Sequence, residues 1–201
     1  MKLFRYPRIF DLSFPDRIWR MKDQEAIYLT FDDGPTATTQ WVLDYLRQQD
    51  VRATFFCVGS NLKKHPNLRD RIISEGHELG SHTMFHEKAT KTPSRDYAKS
   101  VHEAIKLSDS MLFRPPYGRL PLFHKRKLPK EAKVVMWSWL SYDFDEKVPT
   151  QRIIDKLRNV KPGDILVFHD NEKTDERIKK LLPDVILSLK SRGFKFNTIS
   201  V

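Results

Sequence analysis

The chain has 201 residues, of which 39% are hydrophobic, and this size and composition suit one globular domain with a sizeable core. No run of about 18 apolar residues is present, and the single cysteine, Cys57, excludes both an internal disulfide framework and a cysteine-based zinc cluster. The formal net charge is +10, but its positive residues are scattered apart from the cluster at 124–127 and accompany no nucleic-acid motif, so we expect a solvated basic surface and no nucleic-acid partner.

Residues 1–22 form a basic and aromatic arm ahead of the first predicted strand. Two interpretations are open. The arm could pack across the open side or the bottom of the domain, or it could make weak contact with an anionic membrane surface. The arm has no uninterrupted apolar stretch of the kind that marks a secretory signal, so we expect a cytoplasmic or membrane-peripheral location.

Seven short runs rich in apolar, strand-forming residues alternate with helical patterns along the rest of the chain. The predicted strands are 26–32, 51–58, 77–82, 112–114, 134–139, 165–169 and 194–201. The predicted helices are 38–49, 66–75 and 94–108, one that Thr150 could cap, and one that Pro183 starts or kinks and Gly193 ends. Ser94 is the predicted N-cap of the third helix.

Strand–helix alternation of this kind predicts a mainly parallel sheet covered by helices. Such a sheet is a (β/α) barrel when closed and a doubly wound sheet when open. No linker or change of composition divides the chain, so we predict one domain.

Ionisable residues are concentrated where the predicted strands end. They are Asp32 and Asp33 after the first strand, His82 after the third, Arg114 after the fourth, Asp143 shortly after the fifth, and His169 after the sixth. In parallel α/β folds this edge of the sheet carries the active site. We therefore expect these side chains to meet at one site.

The adjacent acids Asp32 and Asp33 repel each other and persist more easily beside a cation. One could face a metal and the other a substrate, since neighbouring strand residues point to opposite sides. The alternative is a helix-capping acid followed by a turn acid. His82 and His86 stand at i and i+4, which places two imidazoles on one face of a helical turn. With one carboxylate they would form a hydrolytic metal site, although such pairs are often solvated surface residues.

The stretch Arg114-Pro115-Pro116-Tyr117 predicts a stiff loop, whose Tyr117 N–H would suit oxyanion stabilisation and whose Arg114 could hold an acid. The alternative is a structural turn with a surface arginine. His169 could be a satisfied core residue, or a general acid whose pKa a carboxylate such as Asp143 raises.

In chain order, the stretches TFDDGP (30–35), HTMFH (82–86), RPPY (114–117), SYDF (141–144) and LVFH (166–169) resemble the five motifs of the polysaccharide deacetylase family. This is carbohydrate esterase family four, with the NodB-homology domain. The resemblance covers nearly the whole chain after the arm, so it assigns residues 23–201 to one deacetylase domain. It implies a distorted, TIM-barrel-like (β/α) barrel with about seven parallel strands.

The resemblance also implies a role for each residue of the site. Asp32 would be the general base. Asp33, His82 and His86 would bind a divalent metal, with Zn²⁺ expected and Co²⁺, Ni²⁺ and Fe²⁺ as alternatives. Arg114 would orient Asp32, the Tyr117 N–H would stabilise the oxyanion, and His169, tuned by Asp143, would be the general acid. The predicted substrate-contacting residues are Pro116, Tyr117, Phe144 and Leu166.

The fourth motif departs from the family pattern, which usually reads Asp-x-x-Asp-Trp. Leu140 stands where the first Asp would be, and Phe144 replaces the Trp. If that Asp helps to hold Arg114, its absence loosens a supporting contact unless another acid substitutes for it. Phe144 keeps an apolar wall but lacks the indole N–H.

We therefore expect a metal-dependent hydrolase that removes N-acetyl groups from N-acetylglucosamine-type residues of a glycan or glycolipid. Three alternatives are open. The chain could remove O-acetyl or other acyl groups, it could be a catalytically silent metal- and carbohydrate-binding domain, or it could be a basic surface-binding protein.

Overall fold

In the computed structural model, which describes residues 2–23 and 25–200, the strands form one curled sheet. They are β1 Ala26–Asp32, β2 Thr54–Cys57, β3 Glu78–Ser81, β4 Leu112–Phe113, β5 Lys133–Val134, β6 Trp139–Leu140, β7 Ile165–His169 and β8 Lys195–Phe196. All pairings between these strands are parallel, in the order β5-β4-β3-β2-β1-β7-β6, and β8 pairs with the first two residues of β1. The predicted distorted (β/α) barrel of about seven parallel strands is confirmed.

Eight α-helices connect and cover the strands of the described chain. They are α1 Ile9–Ser13, α2 Ala37–Gln48, α3 Gly59–Lys64, α4 Pro66–Ser74, α5 Ser94–Ser108, α6 Leu122–Lys125, α7 Thr150–Lys156 and α8 Asp175–Ser191. Within residues 2–23 and 25–200, none of them has the length and apolar character that a membrane crossing requires.

The central strand β1 is buried along its whole length, because helices cover one side and the barrel interior the other. Its side chains alternate between the two, as in any strand. Leu29 and Phe31 join the large core beneath α2 and α8, whereas Tyr28 joins the cluster inside the barrel. Asp32 pairs in register with His169, so both residues end their strands at the same level.

Several element predictions agree with the structure and others do not. The strands predicted at 26–32 and 165–169 and the helix at 94–108 have the predicted bounds. The single strand predicted at 134–139 is wrong, because the chain leaves β5, crosses a gap in the barrel and begins β6. The predicted caps Ser94 and Thr150 are also wrong. Each is the first helical residue and follows a proline, so no side chain caps the helix. Pro183 lies inside α8 and does not start it.

The N-terminal arm closes the gap between β5 and β6. Four backbone hydrogen bonds join it to both sides: Tyr6 N to Ser138 O (2.7 Å), Leu140 N to Phe4 O (2.8 Å), Ile18 N to Val134 O (2.8 Å) and Met136 N to Ile18 O (2.7 Å). Phe4 and Trp19 are buried against the barrel, and Arg5 hydrogen-bonds the fully buried Asp164. The structure therefore has the arm packed across the open side of the barrel.

Replacing Trp19 with alanine should destabilise the whole domain. Trp19 is 5% exposed and belongs to the cluster that joins the arm to α5 and β4, so truncation leaves a cavity and costs about 3–5 kcal/mol. Denaturant unfolding measures this loss. The matched control is Leu12→Ala in the same arm, where the side chain is 77% exposed and the change should stay below about 0.5 kcal/mol. Equal stability of the Trp19 variant and the native chain would mean that the arm does not contribute to the core.

Candidate metal and hydrolytic site

One cavity of about 810 Å³ opens where the parallel strands end. Its lining includes most of the residues that the motifs predict to act together: Asp32, Asp33, His82, His86, Tyr117, Phe144 and His169. They meet because β1, β3, β4 and β7 run in the same direction and place their carboxyl ends at one edge.

Asp33, His82 and His86 form a candidate metal site. Asp33 Oδ1 lies 3.2 Å from His86 Nε2 and 3.6 Å from His82 Nε2, and the three possible ligand atoms lie within 4.8 Å of one another. Asp33 Oδ1 is buried and has no hydrogen-bond partner in the described chain. A buried carboxylate oxygen that faces two imidazole nitrogens without a donor is suited to a divalent cation, so these residues fit the implied metal.

The spacing of His82 and His86 predicted that both lie on one helical turn. This prediction is wrong. Residues 83–85 form a turn in which Thr83 has φ 64°, and His86 itself has φ 59°. Asp33 also has a positive φ, of 85°. Non-glycine residues rarely adopt this region of backbone conformation, and they cluster at functional sites where the surrounding structure holds them.

A hydrogen bond determines which ring nitrogen of His82 faces the candidate metal site. Its Nδ1 lies 2.7 Å from the carbonyl oxygen of Arg114 and can only donate a proton to it, which leaves the Nε2 lone pair free toward Asp33. Burial lowers the pKa of His82 to about 4, so the imidazole is neutral at neutral pH. A neutral imidazole with a fixed tautomer is the form that binds a metal.

Asn171 holds the other oxygen of Asp33, and the sequence motifs did not identify it. Its Nδ2 donates to Asp33 Oδ2 at 2.7 Å, while its Oδ1 accepts from the backbone N–H groups of Lys173 (2.9 Å) and Thr174 (3.1 Å). These two acceptor contacts settle the orientation of the amide. Its position two residues after His169, at the same strand end, was the available sequence signal.

Asp170 supports the turn that follows Asp33. Its carboxylate accepts from Gly34 N at 3.0 Å and from Thr39 Oγ1 at 2.6 Å, which ties the end of β1 to the first turn of α2. A Cβ atom at Gly34 would come 2.3 Å from Asp170 Oδ2, so only glycine fits there. Burial, together with the nearby Asp33 and Asp32, raises the pKa of Asp170 to about 7.

Asp32 is paired with Arg114, a fully buried residue and not the surface arginine of the alternative interpretation. Arg114 Nη1 donates to Asp32 Oδ1 at 2.7 Å and to Thr30 Oγ1 at 2.6 Å. A carboxylate that accepts a hydrogen bond from a buried guanidinium is held in one orientation. Asp32 is only 3% exposed, so its remaining surface faces the cavity.

The acid missing at Leu140 is replaced by backbone oxygens and not by another acid. The carbonyls of Met136 and Val135 accept from Arg114 Nη2 (2.9 Å) and Nε (3.4 Å), and the guanidinium lies 4.0 Å from the Phe56 ring centre. These contacts satisfy the donors of Arg114 on its far side. Leu140 instead adds apolar surface to the cavity wall.

His169 is held by Asp143 through two contacts. Its Nδ1 lies 2.8 Å from Asp143 Oδ1, and its backbone N–H donates to Asp143 Oδ2 at 2.7 Å. Ser141 Oγ donates to the same carboxylate at 2.8 Å. Burial alone would lower the pKa of His169, but the charge and hydrogen bond of Asp143, with the more distant Asp33 and Asp32, raise it to about 9. His169 is therefore an imidazolium at neutral pH, with its Nε2 available to the cavity.

Tyr117 lies at the mouth of the cavity, on the stiff turn that the prolines predicted. It has φ 60°, and its ring centre lies 4.8 Å from that of His86. The following residue, Gly118, also has a positive φ, and a Cβ there would come 2.3 Å from Trp137. The turn is thus confined by its own backbone and by the indole behind it.

Two of the residues predicted to contact substrate do not line the cavity. Leu166 is fully buried in the core beneath the helices, and the alternation along β7 gives the cavity Val167 instead. Pro116 is buried and does not line the cavity, whereas Pro115 does. Phe144 lies where it was predicted, half exposed, with its ring centre 5.1 Å from that of His169.

Comparisons with known proteins agree with this geometry. A family model described as polysaccharide deacetylase matches residues 20–134. The chain is 34% identical to a peptidoglycan-N-acetylglucosamine deacetylase of Bacillus cereus, over 90% of each chain. Its fold is similar to that of the peptidoglycan deacetylase PdaC from Bacillus subtilis, with a TM-score of 0.78, 28% identity and 88% of each chain covered.

A family 4 carbohydrate esterase from Streptomyces lividans, solved in complex with acetate, is also similar. Its TM-score is 0.79 at 25% identity, and the match covers 89% of this chain and 94% of that one. Three findings therefore agree with the sequence motifs. They are the matched family region, the identity over nearly the full chain and the shared fold. The chain belongs to the polysaccharide deacetylase family.

Proposed function

We propose that this protein is a metal-dependent hydrolase that removes the acetyl group from N-acetylglucosamine residues of peptidoglycan or a related glycan. The observation that carries the proposal is one cavity in which a candidate metal site, an arginine-bound aspartate and an aspartate-bound histidine converge. The relative from Bacillus cereus, named for N-acetylglucosamine of peptidoglycan, supports this choice of substrate.

Asp33, His82 and His86 would hold the metal, and Zn²⁺ suits their one carboxylate and two neutral imidazoles. A bound divalent ion supplies Lewis-acid polarisation of the acetyl carbonyl and a more acidic water. The chain's own residues then position and move the protons.

Asp32 accepts the proton of the attacking water, because Arg114 holds its carboxylate in one orientation at the cavity. His169 donates its Nε2 proton to the departing sugar nitrogen, and Asp143 holds the ring for this step. The Tyr117 N–H donates to the oxyanion. Val167 offers apolar wall for the acetyl methyl group.

The charged state of His169 is suited to amide hydrolysis. An amine is a poor leaving group unless it is protonated, whereas an alcohol leaves more easily. A histidine whose pKa is about 9 remains an acid at neutral pH and meets the requirement of the amide. Removal of O-acetyl groups by the same residues is the competing activity.

Acetate release tests the proposal. The protein, loaded with Zn²⁺ or Co²⁺ to known stoichiometry, is incubated with peptidoglycan fragments, chitooligosaccharides and acetylxylan. We expect acetate from the N-acetylated glycans and its loss with a chelator. Release only from acetylxylan would replace the proposal with an O-acetyl esterase, and no release from any glycan by metal-loaded protein would indicate a silent binding domain.

Asn171→Ala should weaken metal binding without unfolding the protein. The variant loses the contact that holds Asp33 Oδ2, so Asp33 can rotate away from His82 and His86. Loss of such an outer contact lowers metal affinity by about 10–100-fold. Competition with a chromophoric chelator measures the Kd for Zn²⁺. The control, Asn67→Ala on the exposed side of α4, should bind Zn²⁺ as the native chain does. Equal Zn²⁺ affinity of both variants would mean that Asn171 does not support the metal site.

Asp143→Asn should move the alkaline limit of activity to lower pH. The amide oxygen can still accept from His169 Nδ1, but it lacks the charge that raises the pKa of His169 to about 9. A pKa near the ordinary value of about 6.5 leaves about 30-fold less imidazolium at pH 8. The pH profile of kcat/KM measures this change, and an unchanged alkaline limb would contradict the acid role of His169.

A further inference from the structure

An exposed apolar surface is formed by residues that do not line the hydrolytic cavity. In the described part of the chain, twelve large hydrophobic side chains are exposed, and five of them lie on two short segments. These are Ile9, Leu12 and Phe14 in and after α1, and Leu122 and Phe123 in α6. Leu12 is 77% exposed and Phe123 62%. Clustering of exposed apolar side chains on a folded domain indicates an interaction surface.

The two segments form one surface, here called the arm–α6 face. Arg17, after α1, donates to the carbonyl oxygen of Leu120, just before α6, at 2.8 Å. Asp16 forms an ion pair with Lys125 of α6. Beneath the face, Trp19 and Leu120 share one buried cluster. The two segments are therefore joined to each other and packed on the domain, and both carry exposed apolar side chains.

The charges around the arm–α6 face are mainly positive. Residues 8–20 and 119–130 contain eight Lys or Arg and two Asp. Both acids are already paired, Asp11 with Arg20 and Asp16 with Lys125. Arg8, Arg126 and Lys127 are exposed at the edges of the apolar cluster.

We propose that the arm–α6 face docks on the surface of a bilayer that contains anionic lipid. Apolar side chains that enter the headgroup region and cations that meet lipid phosphates are the combination that such surfaces bind. A second copy of the chain is a poorer occupant, since a two-fold contact would bring the same unpaired cations against each other. The inference goes beyond the proposed deacetylase activity and does not depend on it.

Vesicle sedimentation of the full chain tests the proposal, with phosphatidylcholine vesicles that contain or lack phosphatidylglycerol, at low and high ionic strength. We expect binding only to the anionic vesicles, weakened by salt. Arg126→Ser with Lys127→Ser should lower the partition coefficient roughly 25-fold, since each cation near an anionic surface contributes about fivefold. Leu12→Ser with Phe123→Ser should lower it about tenfold or more.

Matched controls distinguish binding through the arm–α6 face from non-specific binding to vesicles. Leu187→Ser, at a 69% exposed leucine of α8, and the pair Lys63→Ser with Lys64→Ser on α3 should bind as the native chain does. The proposal would be overturned if vesicle binding did not change with salt or in the two face variants. It would also be overturned if binding fell equally in the control variants. Absence of vesicle binding, together with a dimer that Leu12→Ser and Phe123→Ser dissociate in analytical ultracentrifugation, would overturn it as well.

Discussion

Asp32→Asn is expected to lower kcat/KM for an N-acetylated glycan by about 10³-fold while the metal stays bound. The asparagine oxygen can still accept from Arg114 Nη1, so the side chain keeps its place and its small exposed surface. An amide cannot take the proton of the attacking water, and among residues 2–23 and 25–200 Arg114 pairs with no other carboxylate. The change therefore removes the base and little else.

The neighbouring acid provides the matched comparison. Asp33→Asn should lose metal affinity, because Asp33 Oδ1 faces His82 and His86, whereas Asp32→Asn should not. Metal content, thermal unfolding and acetate release are measured on both proteins. If the Asp32 variant keeps activity within tenfold of the native chain, Asp32 is not the base, and if both variants lose metal, the separation of roles between the two acids is wrong.

His86→Ala is expected to reduce bound Zn²⁺ from about one ion per chain to near zero after dialysis. Two ligands, Asp33 and His82, would remain, and a site with two protein ligands holds Zn²⁺ weakly. The His86 side chain is 31% exposed and follows the turn at 83–85, so its removal leaves the core unchanged. Activity should fall with the metal and return partly when Zn²⁺ is added in excess.

The control is His102→Ala, at an exposed position of α5. That protein should retain its metal and its activity, which excludes a general effect of histidine removal. Elemental analysis gives the stoichiometry directly. Unchanged metal content in the His86 variant would refute the proposed ligand set, whatever the effect on turnover.

Much of the fold could be predicted because its signals are local. The apolar runs at 26–32 and 165–169 are long, buried on both sides and bounded by polar residues, so their ends could be identified to the residue. The segment at 134–139 carries equally apolar residues, yet it crosses the gap that the arm fills. Composition cannot distinguish a strand from an extended crossing, because both bury apolar side chains.

Short helices were missed for a related reason. α1, α3 and α6 have four to six residues, too few to display a helical period. The face that α1 and α6 form together also joins residues more than a hundred positions apart. Only the folded chain brings such segments into contact.

By itself, the sequence determined the chemical identity of the site: two acids, two histidines, an arginine and a further histidine, all at the ends of predicted strands. The tertiary structure decided how these groups are held. It placed Val167 and not Leu166 at the cavity, because alternation along a strand does not say which side is inside. It supplied backbone carbonyls to Arg114 where an acid was expected, since every residue carries a carbonyl and no side-chain pattern records where it points.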